Sequence, residues 1–145
     1  MANDNNRIIY ELRMIERELK DVGKYSKANR FVIQFDESIE FPEWEVSKFE
    51  YGNDNTFTIS LMDYVFKCDG IKYSTESYFN EKMKGQSNYN IEIIHLEPDN
   101  GETMYIESFT DCKIIQIKPD NLDYGSDEIH KIKVTFSYEK KEYDF

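Results

Sequence analysis

The segment covering residues 122–143 constrains the fold of this chain more than any other. Its first half is rich in Asp, Asn, Gly and Ser, which favour turns because their side chains bond the nearby backbone or, for Gly, because positive φ is tolerated. Its second half alternates apolar and polar residues, with Ile132, Val134, Phe136 and Tyr138 on one face. This period of two, carried by β-branched and aromatic residues, predicts a half-buried antiparallel strand that follows a turn.

Turn residues separate further strand candidates along the chain. Strands are predicted at residues 31–35, 44–51, 56–62, 89–97, 103–109 and 112–118, with a tight hairpin over 64–73. A short helix is predicted from Thr75 to Lys84, with Ser74 as its N-cap and Gly85 at its end. Seven to nine strands and two helices at short spacing predict a mainly β fold, a small antiparallel β-barrel or sandwich.

The strand at 44–51 carries the only tryptophan of the chain. We expect Trp44, Val46 and Lys48 to share one face of this strand, since they alternate along it. Trp44 is then either a core residue or an exposed anchor at an interface, and the sequence leaves both interpretations open.

Residues 4–22 predict an amphipathic helix whose apolar residues recur at helical spacing. Its apolar stripe consists of Ile8, Leu12, Ile15, Leu19 and Val22. The stripe must be buried, either against the chain's own strands or against a neighbouring subunit, and both remain open. We therefore expect an N-terminal helix within residues 1–23, acting as an interface element, and a single β domain in residues 24–145.

Length and charge restrict the classes of function. A chain of 145 residues fits one domain and can bury a sufficient core without metals or disulfides. The net charge of -11 argues against tight nucleic-acid binding, which depends on clustered Lys and Arg. Solubility explains this charge in general terms; a surface that repels DNA while DNA slides past is the more specific interpretation.

Nothing in the sequence predicts an enzyme, a cofactor-binding site or a metal site. Cys68 and Cys112 lack metal-ligand spacing, and the only histidines, His95 and His130, have no nucleophile motif beside them. We expect two free, buried or half-buried thiols. No signal peptide and no run of about 18 apolar residues is visible, so no membrane insertion is expected.

Two linked motifs carry a resemblance to a known family. They comprise Leu122, Tyr124, Ser126 and Glu128, spaced two apart, followed by Val134, Phe136 and Tyr138 on the final strand. This pattern resembles the end of the tail-tube proteins of contractile phage tails, which are similar to the inner tubes of type VI secretion systems. A weaker similarity runs upstream to about Asn29, where residues 31–35 match the family's first strand.

The resemblance implies a structural subunit of a tail tube. In that family, barrels join into hexameric rings that stack into a hollow channel for DNA ejection. Implied partners are further copies of the chain and the tail sheath, baseplate and tape-measure proteins, with DNA only transiently in the lumen. The implied location is the tail of a virion assembled in the host cytoplasm.

Two groups of alternatives remain beside the main tube. Within the assembly class, the short chain also suits a ring joining tube to baseplate or the inner tube of a secretion system. From a different class, it could be a monomeric β-barrel binding module or an enzyme subunit. If DNA passes through a tube, we expect acidic and neutral side chains to line the bore, because phosphate contacts with Lys and Arg would hold the DNA back.

Overall fold

The computed structural model describes residues 29–42 and 45–145, which form nine strands and one helix. The strands are β1 (Phe31–Gln34), β2 (Val46–Tyr51), β3 (Thr56–Met62), β4 (Val65–Cys68), β5 (Ile71–Ser74), β6 (Tyr89–Leu96), β7 (Thr103–Pro119), β8 (Lys131–Ser137) and β9 (Lys140–Asp144); helix α1 (Thr75–Lys84) lies between β5 and β6. The predicted N-terminal helix and Trp44 lie outside the described residues. No helix in the described ranges is long and apolar enough to cross a membrane.

Two antiparallel sheets share the long strand β7. Its first half pairs with β6 and β9, and β6 also pairs with β1; we call this group sheet I. Its second half pairs with β8, followed by β3 and β2; we call this group sheet II. Strands β1 and β2, at the two ends of this order, do not pair with each other. The mainly β antiparallel prediction is confirmed, as an open sandwich rather than a closed barrel.

The core lies between the two sheets. It is formed by the inward-facing residues of both, chiefly Ile33, Phe57, Ile59, Leu61, Ile91, Ile93, Phe109, Ile132, Val134 and Phe136, all at most 2% exposed. Phe57 occupies its centre and contacts the rings of Phe49, Phe109 and Phe136 at centroid distances of 5.0, 4.8 and 5.2 Å. The inward positions predicted for Ile132, Val134 and Phe136 on β8 are therefore confirmed, and β3 shows the same alternation.

Strand β7 differs from the prediction. Two separate strands were expected at 103–109 and 112–118, but the structure has one strand of 17 residues. The chain bends within it: Asp111 takes a positive φ of 53°, which Asp adopts more readily than most residues, and the register shifts between Ile114 and Gln116. This bend lets one strand belong to both sheets.

Strand β2 also differs from the prediction. The shared face expected for Val46 and Lys48 is wrong, because the register with β3 shifts between these two residues. Val46 packs against the core, whereas the Lys48 side chain is 65% exposed. Phe49 takes the inward position instead, stacked on Phe57.

The predictions of the hairpin over 64–73 and of the short helix from Thr75 to Lys84 are confirmed. Asp69 and Gly70 both take positive φ, as a two-residue turn between β4 and β5 requires. Helix α1 begins after Ser74, whose hydroxyl accepts from the backbone N–H of Ser77, and Gly85 caps its end. The helix buries Tyr78 and Phe79 against the core.

Candidate functional site: an exposed loop and open strand edges

The connection between β7 and β8, residues 120–130, is the most exposed feature of the described chain; we call it the 120–130 loop. Leu122 is 85% exposed, Tyr124 is fully exposed and Ile129 is 62% exposed. Ser126 and Glu128 are exposed as well. The motif that carries the family resemblance is therefore divided, with its first four residues on this loop and its remaining residues on or beside β8.

The second half of the motif has a different environment. Val134 and Phe136 are fully buried in the core, and Tyr138 is half-buried, with its ring 4.8 Å from that of Phe109. These three residues thus support the sandwich itself. The loop residues, in contrast, are placed where another molecule can contact them.

Short-range hydrogen bonds organise the 120–130 loop. The Asp123 carboxylate accepts from the backbone N–H of Gly125 at 2.9 Å, and the Asp123 carbonyl accepts from Ser126 N at 3.1 Å. The Ser126 hydroxyl in turn accepts from Glu128 N at 3.2 Å. Such side-chain to backbone bonds define the turns that the Asp- and Ser-rich sequence predicts.

His130 holds the base of the 120–130 loop together. Its Nδ1 lies 3.0 Å from a carboxylate oxygen of Asp63, and its Nε2 lies 2.8 Å from the carbonyl oxygen of Asp120. Both ring nitrogens face acceptors, so the doubly protonated imidazolium is favoured. The hydrogen bond to Asp63, followed by that to Asp120, raises the pKa of His130 above its ordinary value.

The two contacts of His130, with Asp63 and with Asp120, are called the His130 clamp, and they predict a pH dependence. The folded-state pKa of His130 is raised, so protonated His130 stabilises the folded chain. This stabilisation is fully present below the unfolded pKa, about 6.5, and is lost as pH rises through the folded pKa. We expect the amide protection factors of Asp63 and Asp120, corrected for intrinsic exchange, to fall between pH 5.5 and pH 8.5. A His130→Asn variant should show no such change over this interval. Equal protection at both pH values in the unmodified chain would contradict the clamp.

Several strand edges are open in the described part of the chain. Strands β1, β2 and β9 each pair with one neighbour there, and residues 113–119 of β7 pair with β8 alone. An unpaired edge presents backbone donors and acceptors that another chain can extend. Each of the three edge strands also exposes one large apolar residue: Val32, Tyr51 and Tyr143 are 40%, 58% and 54% exposed. These edges are thus suited to strand pairing between chains.

A buried polar cluster links two of these edges. Glu107 on β7 is 2% exposed, and its Oε1 accepts from the Tyr51 hydroxyl of β2 at 2.5 Å and lies 2.6 Å from His95 Nε2. Lys141 on β9 places Nζ 2.9 Å from Glu107 Oε2. The cluster therefore ties sheet II to sheet I at the side of the sandwich where no backbone pairing joins them.

The ionised form of Glu107 is the stable one in this cluster. Burial raises the pKa of the carboxyl group, but the Tyr51 hydroxyl, the Lys141 ammonium and the His95 ring together more than offset this, so its pKa lies below the ordinary value. Burial and the bond to Glu107 raise the pKa of Tyr51 well above its usual range. All four groups are occupied with one another, which favours a structural role for the cluster.

One convergence of possible metal ligands lies beside the β4–β5 hairpin. Ligand atoms of Glu40, Cys68 and Asp69 fall within 4.8 Å of one another. However, the Cys68 thiol donates to a Glu40 oxygen at 2.7 Å, and this bond raises the pKa of Cys68 to about 11. Both Cys68 and the buried Cys112 are free thiols, as predicted.

No protein-family profile and no curated protein matches this sequence, but solved structures match its fold. A chain of the tube terminating cap of the anti-feeding prophage has a TM-score of 0.62 and 12% identity, covering 85% of this chain and 93% of that one. A chain of the PVC sheath-tube complex, from an extracellular contractile injection system in the extended state, has a TM-score of 0.60 and 11% identity, covering 88% and 96%. A type six secretion system protein has a TM-score of 0.52 and 11% identity, covering 78% and 81%.

At these identities the comparison establishes the fold. The fold is one found in tube and cap assemblies of contractile injection systems. The family resemblance that the C-terminal motif indicates is therefore confirmed as a similarity of fold. Nearly the whole length of the cap and sheath-tube chains is matched.

Proposed function

We propose that this chain is a structural subunit of the inner tube of a contractile tail, assembled as stacked six-membered rings that form a channel. The near-complete coverage of a chain from a sheath-tube complex carries this proposal, because it includes the elements of that chain from end to end. The role is structural and needs no catalysis.

The open edges supply a mechanism for ring formation. Strands β1, β2 and β9 present unpaired backbone groups, and pairing them between subunits would satisfy those groups and continue the sheets around the ring. Heterologous contacts of this kind close into a ring when the rotation between neighbours is a whole fraction of a turn. The apolar residues at these edges, such as Tyr51 and Tyr143, then become buried at the boundary.

The proposed assembly implies further partners. Tail sheath, baseplate and tape-measure proteins are the expected protein partners, with DNA present only transiently in the lumen during ejection. The tail of a virion is the expected location, after assembly in the host cytoplasm. The N-terminal segment, residues 1–23, is proposed as an additional interface element between subunits of the β domain.

The second candidate is a specialised ring between tube and baseplate or the inner tube of a secretion system. Similarity to chains of a tube terminating cap and of a type six secretion system favours these possibilities. A sheath gene next to the gene for this chain would favour the main tube.

The ring can be tested directly with the purified chain. We expect mass photometry and sedimentation velocity to show a species of six times the 17.4 kDa chain mass, or longer stacks. Negative-stain images should show rings with six-fold symmetry. Only monomer at high concentration in several buffers would contradict the proposal and favour a monomeric binding module.

A further inference from the structure

The outer face of sheet II carries a concentration of positive charge. Its lysines are Lys48 on β2, Lys113 and Lys118 on β7, and Lys131 and Lys133 on β8. The strand register places Lys118 opposite Lys133, Lys133 opposite Ser60, and Ser60 opposite Lys48, so three lysines lie in one row across all four strands. We call this surface the lysine face.

The charge on the lysine face is largely uncompensated. Glu50 is the only acidic residue among the outward positions that pair within sheet II, so the five lysines leave a net charge of +4 on this face. Since the whole chain carries -11, everything outside this face carries -15. Lys48 pairs with Glu50 at 3.4 Å, while no ion pair within the described ranges involves Lys113, Lys118, Lys131 or Lys133.

This arrangement costs stability in an isolated subunit. Like charges directly opposite each other on neighbouring strands repel, and Lys118 faces Lys133 in this way. The bulge in β7 adds an exposed apolar residue, Ile115, at 52% exposure on the same strand. An acidic partner with some apolar surface would relieve the repulsion and cover Ile115.

The 120–130 loop has the complementary properties. It contains four carboxylates and no Lys or Arg, namely Asp120, Asp123, Asp127 and Glu128. It also presents Leu122, Tyr124 and Ile129 as exposed apolar side chains. The His130 clamp and the hydrogen bonds around Asp123 hold it in a defined conformation, which lowers the entropy lost on docking.

We propose that the 120–130 loop of one subunit docks on the lysine face of a second copy. This inference rests on the proposed function, since every subunit presents both the +4 face and the -4 loop and can contact two neighbours. Such a contact joins different surfaces of the two copies and therefore propagates into rings or stacks. It also explains how a tube that conducts DNA avoids an exposed basic surface, because the loop neutralises the face.

A second copy fits better than a nucleic acid as the occupant. A nucleic acid brings phosphates but no apolar side chain to cover Ile115, whereas the loop of a second copy brings exposed apolar residues such as Leu122 and Tyr124 together with its carboxylates. The described outward positions of sheet II also present no aromatic ring on which an unpaired base could stack.

Charge reversal tests the docking. We expect Lys118→Glu with Lys133→Glu to weaken assembly at least tenfold, and Asp127→Lys with Glu128→Lys, which leaves the loop-organising Asp123 in place, to do the same. A chain carrying all four substitutions should recover assembly, because the two surfaces are again complementary. Assembly is measured by sedimentation velocity and negative-stain imaging in 50 mM and 500 mM NaCl, and the unmodified chain should assemble less at the higher salt.

Matched controls separate docking from general charge effects and misfolding. Lys72→Glu with Lys84→Glu reverses two exposed lysines outside the face and should leave assembly unchanged. Circular dichroism should show the same β content in every variant, and a neutral Lys118→Gln, Lys133→Gln chain should show an intermediate loss.

The outcomes separate the docking from the proposed function. Normal rings in both charge-reversed chains, or no recovery in the fourfold variant, would overturn the docking and leave the tube subunit standing. An unmodified chain that never assembles would overturn both. If a labelled 30-base-pair duplex binds the unmodified chain, and Lys118→Glu with Lys133→Glu abolishes that binding but not assembly, the face binds phosphates and the docking is wrong.

Discussion

Replacing Glu107 with alanine is expected to lower the free energy of unfolding by about 3 kcal/mol. Removing one partner of a buried charged pair leaves the other uncompensated, which typically costs 3–5 kcal/mol, and we expect about the lower end because the Lys141 side chain is 24% exposed. Urea denaturation at pH 7 measures the loss. Glu142→Ala is the matched control. Glu142 forms an exposed ion pair with Lys140 on β9, the strand that also carries Lys141, and removing this surface pair should cost less than about 1 kcal/mol.

The pH dependence of a Glu107→Gln variant identifies the charge as the cause. The pKa of Glu107 is lowered in the folded chain, so the ionised carboxylate contributes stability above its unfolded pKa, near 4.5, and this contribution is lost as pH falls through the folded value. The stability gap between the unmodified chain and the glutamine variant should be constant from pH 6 to pH 7 and shrink below pH 4.5. A gap that widens in acid would exclude this account.

Local chemistry made the short elements predictable. Helix α1 begins and ends where Ser74 and Gly85 predict, because capping depends on groups within a few residues of each other. The hairpin at Asp69-Gly70 follows from the positive φ that both residues tolerate. The alternation of apolar and polar residues in β3 and β8 indicates which face of each strand is buried, because side-chain direction along a strand has a period of two.

Irregularities within strands were not predictable from the same patterns. A bulge adds one residue and reverses the faces beyond it, as between Val46 and Lys48, and the alternation itself carries no marker for it. Asp111 is similar: an Asp between two apolar runs indicates a turn, yet here it bends a continuous β7 that serves both sheets. Only the tertiary requirement to connect the sheets distinguishes the two outcomes.

The polar cluster around Glu107 was missed for a different reason. Tyr51 and Glu107 are 56 residues apart, and Glu107 sits in an alternating strand among other acidic residues that the sequence places on solvated faces. The available signal was its position: in β7 it shares the inward phase with Phe109 and Tyr105, so a charged residue there needs a partner. His95, which has no nucleophile motif beside it in the sequence, takes part in this cluster through its contact with Glu107.

The N-terminal stripe offers the largest expected effect on assembly. Ile8, Leu12, Ile15 and Leu19 lie outside the described residues and outside the segment that carries the family resemblance. Fully burying four such side chains is worth roughly 1.5–3 kcal/mol each, enough to hold one subunit on the next after ordering costs. We therefore expect Leu12→Asp with Ile15→Asp to leave a folded β domain by circular dichroism and to abolish tubes in negative-stain images.

A charge-matched control and two contrary results make this prediction decisive. Asn5→Asp with Asn6→Asp adds the same two negative charges outside the stripe and should leave tubes intact. If the Leu12 and Ile15 variant is unfolded, the stripe belongs to the core of its own subunit, since the β domain then depends on it. If that variant folds and still forms normal tubes, the stripe has no part in assembly, and the open edges and the loop contact must hold the rings without it.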